Sequence, residues 1–276
     1  MNDTLYRGLF DDAALFPPGN APMGQALPDH REHRASERAR YVGPFLVAEG
    51  RVAELRAVLA REETDHGPLE VVVTVPGGAD DVPAALDALN ADPALNLVGM
   101  EVAAPPGTAA DTAAALTKAL PAGTVGYVEV ARGESASADI AALAGTGANA
   151  KFRTGGLKPE AHPTEAELAA LISAAVTAEV PFKCTAGLHH AIRHSTTEGF
   201  EQHGFLNVLM ATHTLLVEGS EADAREILAE RNGPALAARA KALGDVEQAD
   251  VRTRFRSFGT CSITEPLEDL TVLGAL

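Results

Sequence analysis

The chain has no tryptophan, and aromatic residues make up only 4% of it. A core of this size must therefore be filled mainly by alanine, valine and leucine. Basic residues are also scarce, with 22 Lys and Arg against 38 Asp and Glu and a net charge of −16. No basic tract and no aromatics interleaved with basic residues occur, so nucleic acid is not an expected partner. The two cysteines, Cys184 and Cys261, fit no metal or redox spacing and read as reduced core thiols. No stretch approaches the roughly twenty apolar residues of a membrane span. The opening run MNDTLYRGLFDD lacks the charged-then-apolar pattern of a signal peptide. These absences place the chain in the cytoplasm, away from membranes, and leave a homo-oligomer open. No GxGxxG follows an early strand, which counts against a dinucleotide-binding fold and gives no cofactor to expect.

What is present is an alternation of strand-like and helix-like segments. Strand candidates are Leu5–Phe10, Gly43–Ala48, Leu69–Val75, Leu95–Val102, Thr124–Val130, Ala148–Thr154, Val180–Thr185 and Arg254–Gly259. The run LEVVVTV is continuously apolar, as expected of a strand covered on both faces. Helical windows lie between them at Glu32–Arg40, Val52–Glu62, Ala79–Asn90, Ala109–Leu120, Ser137–Leu143 and Thr164–Ala178. The last of these opens with a capping box, Thr164 and Glu167. Phe205–Val217 and Glu221–Leu243 follow, the latter broken near Asn232-Gly233-Pro234. Strands separated by helices give parallel βαβ units. Eight of them in a single domain spanning 1–276 predict a (β/α)8 TIM barrel. An open doubly wound parallel sheet is the alternative.

Two strand ends carry a lysine and then break on glycine: Lys151-Phe152-Arg153-Thr154-Gly155 and Phe182-Lys183-Cys184-Thr185-Ala186-Gly187. A lysine on a buried strand must be paired or put to use. Alternation puts Lys151 and Arg153 on one face and Lys183 and Thr185 on the same one, with Phe152, Phe182 and Cys184 turned toward helices. Glu101 and Glu129 end two other apolar strands, with Tyr127 on the face of Glu129. In a barrel these groups would meet at the catalytic mouth. A salt-bridge network that only fixes the barrel would use the same residues.

The spacing Lys-x-x-Thr-Gly, then Phe-Lys-x-x-Ala-Gly, resembles the paired lysine strands of deoxyribose-phosphate aldolase and related class I aldolases. The resemblance implies a lyase in which Lys151, on the sixth strand, forms a Schiff base. It implies that Lys183, on the seventh, lowers the pKa of that nucleophile, and that an acidic residue shuttles the proton. Glu101 and Glu129 are the candidates for that residue. The run Phe182–His190 also resembles a set of uncharacterised bacterial barrel proteins, which adds no function.

Other residues complete the candidate set. His189 and His190 directly follow the seventh strand and suit acid–base work. With His194, His203, Glu198 and Glu201 they form a polar segment, expected to be a loop over the mouth without a metal. Asp11 and Asp12 end the first strand, where paired acids bind a metal, orient a lysine or cap a turn. Gly259 and Thr260 at the eighth strand offer donors to a phosphate. Arg153 and Thr185 would hold an anionic substrate. The expected activity is an aldolase-type reaction on a small anionic carbonyl compound. Two alternatives stand beside it: a metal-dependent hydrolase or isomerase using the segment His189–His203, and a barrel that binds an anionic metabolite without chemistry.

Overall fold

The computed structural model describes residues 3–64, 66–90, 92–197 and 199–276. Its strands are β1 (Phe10–Asp12), β2 (Val42–Ala48), β3 (Leu69–Val75), β4 (Leu95–Ala104), β5 (Val125–Val130), β6 (Asn149–Arg153), β7 (Phe182–Thr185), β8 (His194–Ser195), β9 (Glu201–Gln202) and β10 (Phe255–Thr260). All but β8 and β9 close one parallel barrel, in the order β1-β10-β7-β6-β5-β4-β3-β2. The closed sheet excludes the open doubly wound alternative. The seam is β1 against β10, where Asp11 lies opposite Gly259 and Asp12 opposite Thr260. β8 and β9 form a small antiparallel hairpin in the connection after β7.

The helices are α1 (Asp3–Tyr6), α2 (Met23–Ala35), α3 (Val52–Leu59), α4 (Val82–Asn90), α5 (Ala109–Ala119), α6 (Ala136–Ala141), α7 (Glu165–Thr177), α8 (Phe205–Leu216), α9 (Glu221–Ala229), α10 (Gly233–Ala242), α11 (Asp245–Arg254) and α12 (Thr264–Val272). Among the described residues no helix is long and apolar enough to cross a membrane. The main apolar core lies between sheet and helices. There Phe152 and Phe182 stack with ring centroids 5.1 Å apart, and Phe182 stacks on Phe255 at 5.2 Å.

Several boundaries differ from the sequence expectation. The first strand is shorter and later, because residues 3–6 form a helical turn and the strand itself is Phe10-Asp11-Asp12. Leu5, Tyr6, Leu9 and Phe10 are all fully buried, adjacent pairs that break the period-2 alternation of a half-buried strand. The helix expected at Glu32–Arg40 begins nine residues earlier, directly after Pro22, and buries Met23, Ala26, Leu27 and His30. That three-and-four spacing, not the polar run after it, marks the apolar face. α11 and α12 were not anticipated, since both are rich in charge and have only narrow apolar stripes. By contrast α7 starts at its capping box: Thr164 Oγ accepts from the Glu167 amide, and the Glu167 carboxylate accepts from the Thr164 amide at 2.8 Å.

Candidate active site

Side-chain alternation on short parallel strands decides what the lumen contains. β6 and β7 pair in register, with Lys151 opposite Lys183 and Arg153 opposite Thr185. Both lysines face the lumen. Lys183 is fully buried and Lys151 is 4% exposed. Across β5 and β4, Glu129 lies opposite Lys151 and Glu101 opposite Tyr127.

The charged groups form one alternating chain. Lys183 Nζ lies 2.5 Å from Asp11 Oδ2 and 2.6 Å from Glu101 Oε1. The other oxygen of Glu101 lies 2.6 Å from Lys151 Nζ, which also touches Glu129 Oε2 at 2.8 Å. Arg153 Nε donates to Glu129 Oε1 at 3.0 Å. Ser257 Oγ, from β10, donates to Asp11 Oδ2 at 2.7 Å. The chain Asp11–Lys183–Glu101–Lys151–Glu129–Arg153 therefore alternates in sign from the closed interior to the mouth. Exposure rises along it: the side chain of Glu101 is 0% exposed, that of Glu129 20% and that of Arg153 47%.

Neutralisation explains how so many charges survive desolvation. Burial alone would raise the Glu101 carboxyl, but Lys151 and Lys183 outweigh it and hold it at about 2. Burial likewise opposes the Lys183 ammonium, yet Asp11 and Glu101 prevail and hold it well above the ordinary lysine range. Lys183 is thus a permanent cation. Its charge is answered by Asp11 and Glu101. Burial raises Glu129, but Lys151 and Arg153 pull it below the usual carboxylate value. Tyr127 lies beneath this chain, its ring centroid 5.1 Å from Lys183 Nζ. Burial pushes its phenol up.

The glycines after each lysine strand have a spatial reason. A Cβ on Gly155 would sit 2.8 Å from the Gly187 Cα, and one on Gly187 would sit 2.9 Å from the Thr154 carbonyl oxygen. The two loops touch backbone to backbone. Thr154 ties them, its amide donating to the Thr185 carbonyl at 2.9 Å and its hydroxyl to the Ala186 carbonyl. Gly187 also has φ +77°, a conformation L side chains rarely adopt.

Not every candidate residue joins this group. Asp12 points the opposite way from Asp11, as adjacent strand residues must. It meets His30 of α2 at 2.9 Å and caps its own turn through the Ala14 amide. Thr260, in register with Asp12, is buried and donates to the Ser262 carbonyl. Gly259, in register with Asp11 and Thr185, does face the lumen. His189 and His190 turn toward the last helix: His189 Nδ1 lies 3.4 Å from Glu265 and 3.5 Å from Cys261 Sγ, and His190 Nδ1 lies 3.1 Å from Asp269. Burial lowers the pKa of His189. His203 is fully buried and bonds to the Pro163 carbonyl and to Arg193. The expected loop is an irregular segment containing the β8–β9 hairpin; Glu198 lies outside the described residues. Among the described residues no group of three or more His, Cys, Asp or Glu side chains is placed to hold a metal ion.

Ser257 is the member of the group that sequence reasoning passed over. Its signal is its two-residue spacing from Gly259, which puts both on the lumen face of β10. Compared with known proteins, the chain matches no family model, and no curated protein is significantly similar to it.

Proposed function

We propose that this protein is a lyase-type enzyme in which Lys151 forms a Schiff base with a small anionic carbonyl compound. One observation carries the reading. Of the two lumen lysines, only Lys151 shares a carboxylate, Glu129, with a half-exposed arginine at the mouth. Lys183 is sealed at the closed end of the same charge chain. A nucleophile must be reachable, and a positioning cation need not be.

The chemistry assigns the charged groups different tasks. Glu129 takes a proton from the Lys151 ammonium as substrate arrives. Losing that cation removes much of what depresses the Glu129 carboxyl, so Glu129 becomes the stronger base as it is needed. The free amine adds to the carbonyl carbon, and the oxygen takes the proton back from Glu129. The nitrogen's second proton then passes through Glu129 to the hydroxyl, which leaves as water and completes a protonated imine. Glu101 cannot serve as the acid, because Lys183 keeps it ionised. It remains a fixed anion beside the imine nitrogen and stabilises its charge. Lys183 is a positioning residue that holds Glu101 and Asp11 in place. Arg153 offers its terminal nitrogens to the anionic group of the substrate.

Borohydride reduction in the presence of a panel of small aldehydes, ketones and keto acids tests this. A reduced adduct should appear on the tryptic peptide containing Lys151 and be lost in Lys151→Arg. A broad panel that leaves Lys151 unmodified would overturn the reading.

A further inference from the structure

The barrel lumen has two unlike walls. One carries the charge chain, from β4 through β7 and back to β1. The other consists of Ala13, Leu46 and Val72, with Phe16 and Val98 packed against them. Its buried members Ala13, Leu46 and Val72 are distinct from the main core outside the sheet, while Phe16 packs against both, and none of the five side chains has a hydrogen-bonding atom.

Two close approaches bring the walls together. The Cβ position of Gly259 lies 3.2 Å from Leu46 Cδ2, 3.6 Å from Ala13 Cβ and 3.9 Å from Thr185 Oγ1. Leu46 from β2 and Thr185 from β7 thus both approach the lumen face of Gly259 on β10, and Thr185 is paired with Arg153. Deeper in, the Cβ position of Gly99 lies 3.2 Å from both Val72 Cγ2 and Tyr127 Cε2. The ring of Tyr127 in turn faces Lys183. Phe16 forms the rim. It is half-buried on the loop after β1, which is pinned by its amide to the Ala13 carbonyl at 2.8 Å and by Asn20 to its own carbonyl at 3.1 Å.

A polyhydroxylated substrate would lose hydrogen bonds against such a wall. We propose, building on the Schiff-base reading, that the substrate is an amphipathic carbonyl acid with its anionic group on Arg153, its carbonyl at Lys151, and a short hydrocarbon arm on Ala13, Phe16 and Leu46. Phe16 and Leu46 are then the residues that set specificity.

Titration calorimetry with unreactive carboxylates tests the arm without requiring an imine. Acetate, butanoate and hexanoate should bind with affinity rising by about fourfold per methylene over the first few methylenes. Glycerate and gluconate should bind no better than acetate. Phe16→Ser, at the half-buried rim and packed against the main core as well, should fold with a lowered melting temperature and flatten the series; a wild-type slope in that folded variant would overturn the inference. A series that is already flat in the wild type, or tighter binding of the hydroxylated acids, would overturn the inference. Borohydride trapping separates the two ideas. Adducts with hydroxylated carbonyls but not alkyl ones would sink the apolar arm and leave the Schiff base standing. No adduct at all, with a rising carboxylate series, would support the arm and remove the Schiff base.

Discussion

At the scale of single residues, the two lumen lysines differ in what their loss leaves behind. Lys183→Met takes from the buried Asp11 the lysine it pairs with and leaves the buried Glu101 with Lys151 alone. Removing one partner of a buried pair costs about 3–5 kcal/mol, so chemical denaturation should show a loss of that order. Glu129→Gln leaves Lys151 still paired with Glu101 and sits where solvent reaches, so the cost should be about 1 kcal/mol or less. The same variant should slow imine trapping sharply, because the proton carrier is gone. Large stability loss for Lys183 with small loss for Glu129 is the expected contrast; equal losses would mean the chain does not grade from interior to mouth. The identities of these residues were legible from their places at the ends of apolar strands. Their pairing was not. Glu101 serving both lysines depends on the barrel curving β4 and β7 toward one another, which no local spacing encodes.

At the scale of elements, the two loops after β6 and β7 behave as one unit. Gly187→Ala would place a methyl in the left-handed region and against the Thr154 carbonyl and Gly155. Strain of this kind costs of order 1–3 kcal/mol. The melting temperature should fall by several degrees, and trapping at Lys151 should fall with it because the β6 end is displaced. An unchanged melting temperature would show that the loops part easily. The paired glycines were visible in the sequence, and so was the capping box of α7. The longer strands and α5 were also close to the expected bounds, because their periodicity is strong and their breakers are glycine or proline. The ends of the chain were harder. Residues 3–12 contain a helical turn and a three-residue strand. A strand so short carries too few alternations to fix which of Asp11 and Asp12 faces inward. The polar α11 and α12 are helical because tertiary packing buries a narrow stripe, such as Leu267 and Leu270.

For the molecule as a whole, the net charge of −16 hides a lumen in which carboxylates and cations balance along the ion-paired chain. Acid should therefore reach Glu101 late, whereas burial raises the Asp11 carboxyl at the closed end of the chain. The Glu101 carboxyl lies at about 2 in the folded barrel against an ordinary value of 4.5. The unfolded chain binds this proton more readily, so the stabilisation from Glu101 is fully present above about pH 4.5. It is lost as pH falls toward 2. Carboxyl-carbon resonance titration should find Glu101 still ionised near pH 3, after most surface carboxyls have protonated. A midpoint near 4.5 would contradict the ion-paired geometry.

Apolar periodicity and charges set on apolar strands were enough for the fold class and the cast of charged residues. An eight-fold alternation of apolar runs and helical windows admits few solutions, and a charge on a buried strand must face the lumen or find a partner. Which of these residues meet followed from the closed barrel. It sent Asp11 to Lys183 and Asp12 to His30, turned His189 and His190 toward the last helix, and brought Ser257 to Asp11. The physical reason is closure. The β1–β10 seam joins segments from opposite ends of the chain, and the direction of every side chain there depends on a register that exists only once the barrel is complete.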